Sequence, residues 1–544
     1  MKSDGKTRYP LVKKIDFLGF LPILVVGLII LFVFDSFVPY DMDEFFQYRP
    51  IICSYYPYTA LWADNCRGID LNLLNTTLTL PLRTGDYTGS LPSLYYYPIF
   101  LLWKSPTSAR LMGIIFIGIQ SLILGRLFNV RPMYVFIGLV SFFEYFFQHM
   151  VDTGPVGFQI TSVYVFYALV KKWAETPKSK YLVSAAVLAF LGLWVKTSYT
   201  WLLPALFIIL AMHVWENRWV LLNPKNRMTV AAHLVISSVV FVALALTLFL
   251  STDPANSKTY IRELLDSPMV DLTSMDDAVN VTATLNRGVV QALINPFEGA
   301  KKVYFVSAPT TYTYAYDVLL YLTIPTVLYL VHLKKCYAKD TLRPTMLVIG
   351  FAVTILFTLS TQYAWFAHHT ILSYSILVLA FFESLSLYRG AYPGAYPKVA
   401  AVWLVIFIVA NGYFFYYLKD FVPHTINDPS LKEINVLLGD EYMAKNYAYV
   451  MSDWGIQYIQ GLYGNRQQVI VSINDADNQT LRSLRELQDS TGRKMLLIYN
   501  TKEASLSDRR LADSFHLKPC TKTKDRVWRI LLEDDQNPRN ICLT

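Results

Sequence analysis

Asp41, Asp43 and Glu44 put three carboxylates into four consecutive positions, in the stretch Val38-Pro-Tyr-Asp-Met-Asp-Glu-Phe-Phe46. They follow the first long apolar run by a few residues, where ionised groups are costly to hold near lipid. A carboxylate at the lipid–water boundary can take a proton from a hydroxyl, the work of a general base. The competing reading is a solvated turn capping the first outer loop. Asp152, in Val151-Asp-Thr-Gly-Pro155, is a second acidic residue on the same side; an N-cap of the following helix would also suit it. Lys196 can hold an anion as a point charge, or can snorkel from a helix end. His368 and His369 can hold an anion or carry a proton, although His is only partly charged near neutrality; a hydrogen-bonded interfacial pair is the alternative.

These groups need elements to carry them. The chain has 544 residues, 54% hydrophobic, 15% aromatic and only 16% charged, with a mean hydropathy of +0.34. A soluble protein of this size could not hide so much apolar surface, so the sequence reads as a polytopic membrane protein. Apolar runs that cross or nearly cross a bilayer lie at about Phe17–Phe34, Ala109–Phe128, Met133–Phe147, Val156–Val170, Tyr181–Trp194 and Tyr199–Val214. Five more follow at about Thr229–Leu250, Tyr316–Leu333, Pro344–Leu359, Ile371–Leu387 and Val399–Leu418. Several are short, which suits tilted helices or helices ending at an internal cavity. The first lacks a small-residue cleavage site and reads as an anchor.

The net charge of +8 is explained by topology rather than by nucleic-acid affinity. With the N-terminus cytoplasmic, basic residues such as Lys13, Lys14, Arg131, Lys171, Arg218, Arg343 and Arg389 fall inside, as the positive-inside rule requires. Lys196 is then the main basic residue of the short outer loops. The same rule makes Tyr181–Val214 a hairpin, because one long helix would misplace a basic loop. About eleven crossings put the C-terminus outside, and Cys53, Cys66, Cys520 and Cys542 with it, in an oxidising compartment. Proximity favours bridges Cys53–Cys66 and Cys520–Cys542; the cross pairing stays open.

Two outer loops exceed simple connectors, 35–108 and 251–315. The first carries the acidic cluster, short amphipathic runs at Tyr55–Trp62 and Leu71–Leu82, and an aromatic belt over Leu94–Trp103. The second carries Lys301 and Lys302, a headgroup-binding face. Arg110 reads as an anchor of a helix end at the interface. Residues 1–418 thus form a transmembrane unit. Residues 419–544 turn polar, with strands expected at Tyr447–Ser452, Gln468–Ile473, Met495–Tyr499 and Val527–Leu532. Helices are expected between them at Ile456–Leu462, Thr480–Ser490 and Asp508–Phe515, making a small extracytoplasmic α/β domain. It has no Gly-rich nucleotide fingerprint and no metal-ligand spacing. Asp41-Met-Asp43 is a weak nucleotide-sugar metal pattern that would need a soluble nucleotide domain around it.

A single N-terminal helix followed by the outer pair Asp43-Glu44, a long first loop, many short helices and a C-terminal outer domain resemble the GT-C glycosyltransferases. In layout the chain is similar to protein O-mannosyltransferases and the lipid A aminoarabinose transferase. The resemblance implies a sugar moved, with inversion, from a polyprenyl-phosphate-linked donor to a lipid, glycan or protein acceptor. It implies Asp43 as general base, Glu44 orienting it or binding acceptor, and Asp41 in support. Lys196 matches the family's Lys-Gly at this helix end and would bind donor phosphate, with His368 and His369 where the family shows Arg-Tyr or similar. Asp152 would face the same cavity. Metal dependence stays open, since Asp41, Asp43 and Asp152 form a site only if they converge. A bacterial plasma membrane is favoured, with the endoplasmic reticulum as the alternative. The rival class is a transporter or flippase of a lipid-linked or small polar substrate; it predicts repeats and helices broken at the midplane, and the sequence shows no repeat.

Overall fold

The structure, a computed structural model, describes residues 17–37, 69–73, 76–80, 89–103, 106–151, 155–221, 223–250, 342–359, 367–405, 408–409, 441–451, 469–472, 476–500, 506–522 and 528–533. The expected features at Asp41, Asp43, Glu44, Cys53, Cys66, Asp152, Lys301, Lys302, Tyr316–Leu333, Ile456–Leu462 and Cys542 lie outside the described residues.

Apolar runs and prolines set the helices. The first, α1 (Phe17–Phe37), is apolar throughout its middle. After a two-stranded hairpin, β1 (Ile69–Leu73) with β2 (Thr76–Leu80), comes α2 (Leu91–Leu102). Within the amphipathic run expected over Leu71–Leu82, Leu71, Leu73, Leu78 and Leu80 alternate with polar residues at a period of two, and the β-branched Thr residues suit a strand. Four helices begin on a proline whose missing N–H is no loss in the first turn. These are α3 (Pro106–Phe128), α4 (Pro132–Ser141), α6 (Pro155–Glu175) and α10 (Pro224–Phe249).

The run expected over Met133–Phe147 is two helices, α4 and α5 (Phe143–Val151), because Phe142 is extended between them. Its ring packs on Tyr145 and Tyr374, at centroid separations of 5.9 and 5.5 Å, so tertiary ring contacts override helical continuation there. The bundle continues with α7 (Ser179–Val195), a 3-10 segment (Thr197–Leu202), α8 (Leu203–Glu216), the single turn α9 (Arg218–Leu221), then α10. Beyond it lie α11 (Leu342–Leu359), α12 (Ala367–Ala391) and α13 (Tyr396–Val405). Four described helical stretches are long and apolar enough to cross a membrane: Arg110–Phe128, Thr197–Glu216, Asn226–Phe249 and Ile371–Ala391. Along α10 the valines 235, 239 and 242 stay exposed, a face suited to lipid.

After α14 (Glu441–Asn446) the chain builds a five-stranded mixed sheet of order β4-β3-β5-β7-β6. β3 (Tyr447–Met451) pairs in parallel with β4 (Val469–Ser472) and β5 (Lys494–Asn500). β7 (Trp528–Glu533) runs antiparallel between β5 and β6 (Leu517–Lys522). Helices α15 (Asn478–Thr491) and α16 (Leu506–Ser514) carry Leu484 and Leu511 into a core with Val450, Val471 and Leu497. The edge strand β6 escapes the period-two pattern because Pro519 interrupts it, at a register shift against β7.

Candidate functional site

The bundle has two chemically different ends, and Lys196 marks one of them. Here α7 stops: Lys196 is extended (φ −161°, ψ 135°), and the chain re-enters as a 3-10 turn. Two contacts show that it reverses. Tyr199 hydroxyl lies 2.7 Å from Ser162 Oγ, and further along both helices the His213 ring packs on Tyr167 at 5.0 Å, so α8 runs parallel to α6 and antiparallel to α7. The hairpin expected over Tyr181–Val214 is present. Gly192 makes it possible: a Cβ there would stand 2.6 Å from the Tyr199 ring.

At this break Lys196 N–H still reaches the Gly192 carbonyl at 3.3 Å and Tyr199 N–H the Lys196 carbonyl at 3.1 Å, and further donors add to these backbone bonds. Gln159 Nε2 donates to the carbonyls of Lys196 and Gly192, at 2.9 and 3.2 Å. Gly89 N–H donates to the Val195 carbonyl at 3.1 Å, tying the end of the first outer loop to the residue before Lys196. A Cβ on Gly89 would fall 1.5 Å from the Trp194 carbonyl oxygen, so only glycine approaches this closely. Lys196 is itself partly exposed. The 3-10 segment that follows it packs on α12, whose first residues include His368 and His369. The structure therefore brings the lysine's segment and the helix start of the two histidines to one end of the bundle.

A second charged group stands at this end. Arg110, fully buried, donates from Nη1 to Asp35 Oδ1 at 2.9 Å; its guanidinium lies 5.1 Å from the Phe34 ring, and the Thr107 hydroxyl also donates to Asp35. Arg110 is thus an ion-paired interior residue, and not the interfacial anchor its position suggests. It fastens the last turn of α1, from which Asp41, Asp43 and Glu44 follow in sequence, to the first turns of α3. Tyr96, expected in an aromatic belt, is buried, while its neighbour Tyr95 stacks on Phe158 at 6.0 Å and meets Phe116 edge-on at 5.4 Å.

Below the break lies a polar knot. Gln120 accepts from the Tyr145 hydroxyl at 2.5 Å and offers its amide to Thr161 Oγ1 and His149 Nε2, each at 2.9 Å. The amide donor makes His149 Nε2 an acceptor, and Nδ1 then donates to the Tyr145 carbonyl at 2.7 Å, so both ring nitrogens are used by a neutral imidazole. This knot ties α3, α5 and α6 together and offers no free base.

The opposite end is closed by ions. Arg343 Nε stands 2.7 Å from both Glu216 carboxylate oxygens, and its Nη1 is 3.7 Å from Glu383. Buried Glu383 also accepts the Tyr167 hydroxyl, and His213 Nδ1 is 3.7 Å from Glu216. Arg389 Nη1 donates to the Asn129 carbonyl at 2.6 Å, joining α12 to the end of α3. Periodicity alone could not find this cluster, because Arg343 is distant in sequence from both acids. The available signal was a glutamate ending one apolar span, Glu216, and another inside a second, Glu383, where acids are expensive unless paired. Among the described residues no group of three His, Cys, Asp or Glu converges as a metal site.

Comparison with solved structures shows what this architecture is similar to. ArnT from Cupriavidus metallidurans, bound to undecaprenyl phosphate, matches over 95% of this chain and 99% of its own at a TM-score of 0.56, with 12% identity. The chain has the GT-C fold. The same ArnT in the apo state matches at a TM-score of 0.43 and 12% identity, covering 96% of this chain and 100% of its own. The archaeal oligosaccharyltransferase AglB from Archaeoglobus fulgidus, in complex with an inhibitory peptide and a dolichol-phosphate, matches at 0.39 and 11%, over 96% of this chain and 75% of its own. No protein-family model and no curated protein matches.

Proposed function

We propose that this GT-C chain is an integral membrane glycosyltransferase that moves a hexosyl or pentosyl group from a polyprenyl-phosphate donor to an acceptor on the outer face. The observation that carries the reading is the shared fold, nearly end to end in both chains, with a protein whose structure holds undecaprenyl phosphate. The partly exposed Lys196, at a backbone break clamped by Gln159 and Gly89, supports it, since donor phosphate needs a cation beside it.

In this reading the acceptor oxygen attacks the anomeric carbon from the face opposite the phosphate. Its proton passes to the Asp43 carboxylate, with Glu44 orienting the base or binding the acceptor and Asp41 in support. The bond from the anomeric carbon to the phosphate oxygen breaks, and its electron pair leaves on polyprenyl phosphate as an anion. Lys196 neutralises that anion, assisted by His368 and His369, and Asp152 faces the same cavity. No acid is needed, because phosphate leaves without protonation, unlike the leaving group of a glycoside hydrolase. Whether Asp41, Asp43 and Asp152 also share a divalent cation is a separate question for metal-depleted protein.

Topology supports the placement. Arg131, Lys180, Arg218, Arg343 and Arg389 all sit at the ion-closed end, which the positive-inside rule makes cytoplasmic. Eleven crossings then put Lys196, the C-terminal sheet and the bridges Cys53–Cys66 and Cys520–Cys542 outside, in a bacterial plasma membrane. The test is transfer of label from a panel of polyprenyl-phosphate sugars by the purified chain. Asp43→Asn is expected to lower transfer by about 10²–10⁴-fold. Unchanged transfer in that variant removes the mechanism, and no transfer with any donor favours a transporter.

A further inference from the structure

At the ion-closed end, one cation stands apart from the paired network. Arg218, on the turn α9, lies with its guanidinium carbon 4.6 Å from the Trp215 ring and 5.4 Å from the Trp219 ring. Both indoles are turned outward, with Trp215 59% and Trp219 78% exposed, although each would rather leave water. The turn is fixed from inside: Leu221 is fully buried, and the Asn217 side chain donates to the His213 carbonyl at 3.0 Å, closing α8. The outward display of the three side chains is therefore a consequence of the backbone, not of a loose loop.

Arg218 makes one hydrogen bond among the described residues, from Nη1 to the Trp215 carbonyl at 2.8 Å, and meets no carboxylate among them. Arg343, by contrast, is engaged by Glu216 and Glu383 at the same end. Residues 217–228 contain no Asp or Glu but do contain Lys225 and Arg227, so the local field is positive. From here α10 departs with Met228 and Val235 exposed, a surface against which acyl chains can lie. Exposed tryptophans at a helix end mark the headgroup level of a bilayer. A planar guanidinium with most of its donors unused matches the oxygens of a phosphodiester.

We propose that Trp215, Arg218 and Trp219 form a binding site for the headgroup of an anionic phospholipid in the leaflet at the basic end of the bundle. The guanidinium takes the phosphodiester, the two indoles cover the glycerol region, and the acyl chains run along α10. Net negative charge is selected because a zwitterionic headgroup would bring its own cation into a field set by Arg218, Lys225 and Arg227. This site is a full helix length from Lys196 and does not depend on whether the chain transfers a sugar.

The test is native mass spectrometry of the full-length protein in detergent, titrated with phosphatidylglycerol or with phosphatidylcholine. The wild type is expected to bind phosphatidylglycerol about tenfold more tightly, and Arg218→Gln to lose that preference. Trp219→Ala, which keeps the charge, is expected to weaken phosphatidylglycerol by a smaller factor, and it stands as the working variant should Arg218→Gln unfold. Equal binding of the two lipids by wild type overturns the proposal, as does an undiminished preference in either folded variant. Displacement of the lipid by equimolar inorganic phosphate overturns it too, since the site would then be one for free anions. Sugar transfer is not read in this experiment, so its outcome is distinct from a failure of the transferase reading.

Discussion

The two ends of one helix bundle are built by opposite rules. At the Lys196 end the backbone is irregular: α7 breaks, a 3-10 turn follows, Gly89 N–H takes up the Val195 carbonyl, and Gln159 adds a donor to the carbonyls of Gly192 and Lys196. At the other end Arg343, Glu216, Glu383 and Tyr167 close the helices α6, α8, α11 and α12 on one another. Irregular backbone is tolerated at membrane depth only where protein or a cavity satisfies it. The lesson is that charge density alone does not find a candidate site here. Among the described residues, the denser cluster closes on itself, while Lys196 stands partly exposed beside a clamped turn.

The largest effect is expected where the ions are closed. Arg343→Met leaves two carboxylates facing each other and should cost about 3–5 kcal/mol in unfolding of the detergent-solubilised chain. A loss below about 1 kcal/mol would mean that the cluster is solvated, and the contrast between the ends would vanish. Next comes Gly89→Ala, which drives a methyl group into the Trp194 carbonyl. Overpacking of this kind costs about 1–3 kcal/mol, and sugar transfer should fall further than stability does because the first outer loop is displaced from Lys196. Equal activity in Gly89→Ala would show that the bridge to Val195 positions nothing.

Gln159→Leu removes an amide donor from two carbonyls that each keep a backbone partner, and should cost about 0.5–1.5 kcal/mol. Its kinetic signature is a raised KM for donor with a lesser change in kcat; the reverse split would detach the clamp from phosphate binding. The smallest effect lies in the C-terminal sheet, away from both ends. Asp477 accepts the Thr480 N–H at 2.7 Å, which holds its carboxyl below the usual aspartate range. A depressed carboxylate contributes stability above its unfolded pKa and loses it as pH falls through the folded value. Asp477→Ala should therefore fray Asn478–Thr491 at neutral pH as acid does in the wild type, abolishing the pH dependence, as followed by amide exchange between acidic and neutral pH.

Much of the bundle is legible in local sequence because apolar length and N-terminal proline act locally: Pro106, Pro132, Pro155 and Pro224 each open a helix. Charge asymmetry between loops was enough to expect the turn at Lys196, a long-range inference carried by topology alone. The break at Phe142 was not legible, since the ring contacts that cause it come from Tyr374, on a helix far along the chain. Arg110 looked like a helix-end anchor because its partner Asp35 stands on α1, and sequence spacing does not record which faces meet. In the sheet, short apolar runs located β3, β4, β5 and β7 to within a residue or two, while the proline-bearing edge β6 was hidden.

The central claim is that donor phosphate docks at the clamped, irregular end, and photocross-linking with a polyprenyl phosphate analogue reads it directly. The account predicts labelled peptides from the segment around Lys196 and from the loop that ends at Gly89, lost on competition with unlabelled polyprenyl phosphate. Competable label confined to the peptides of Glu216, Arg343 and Glu383 would contradict it.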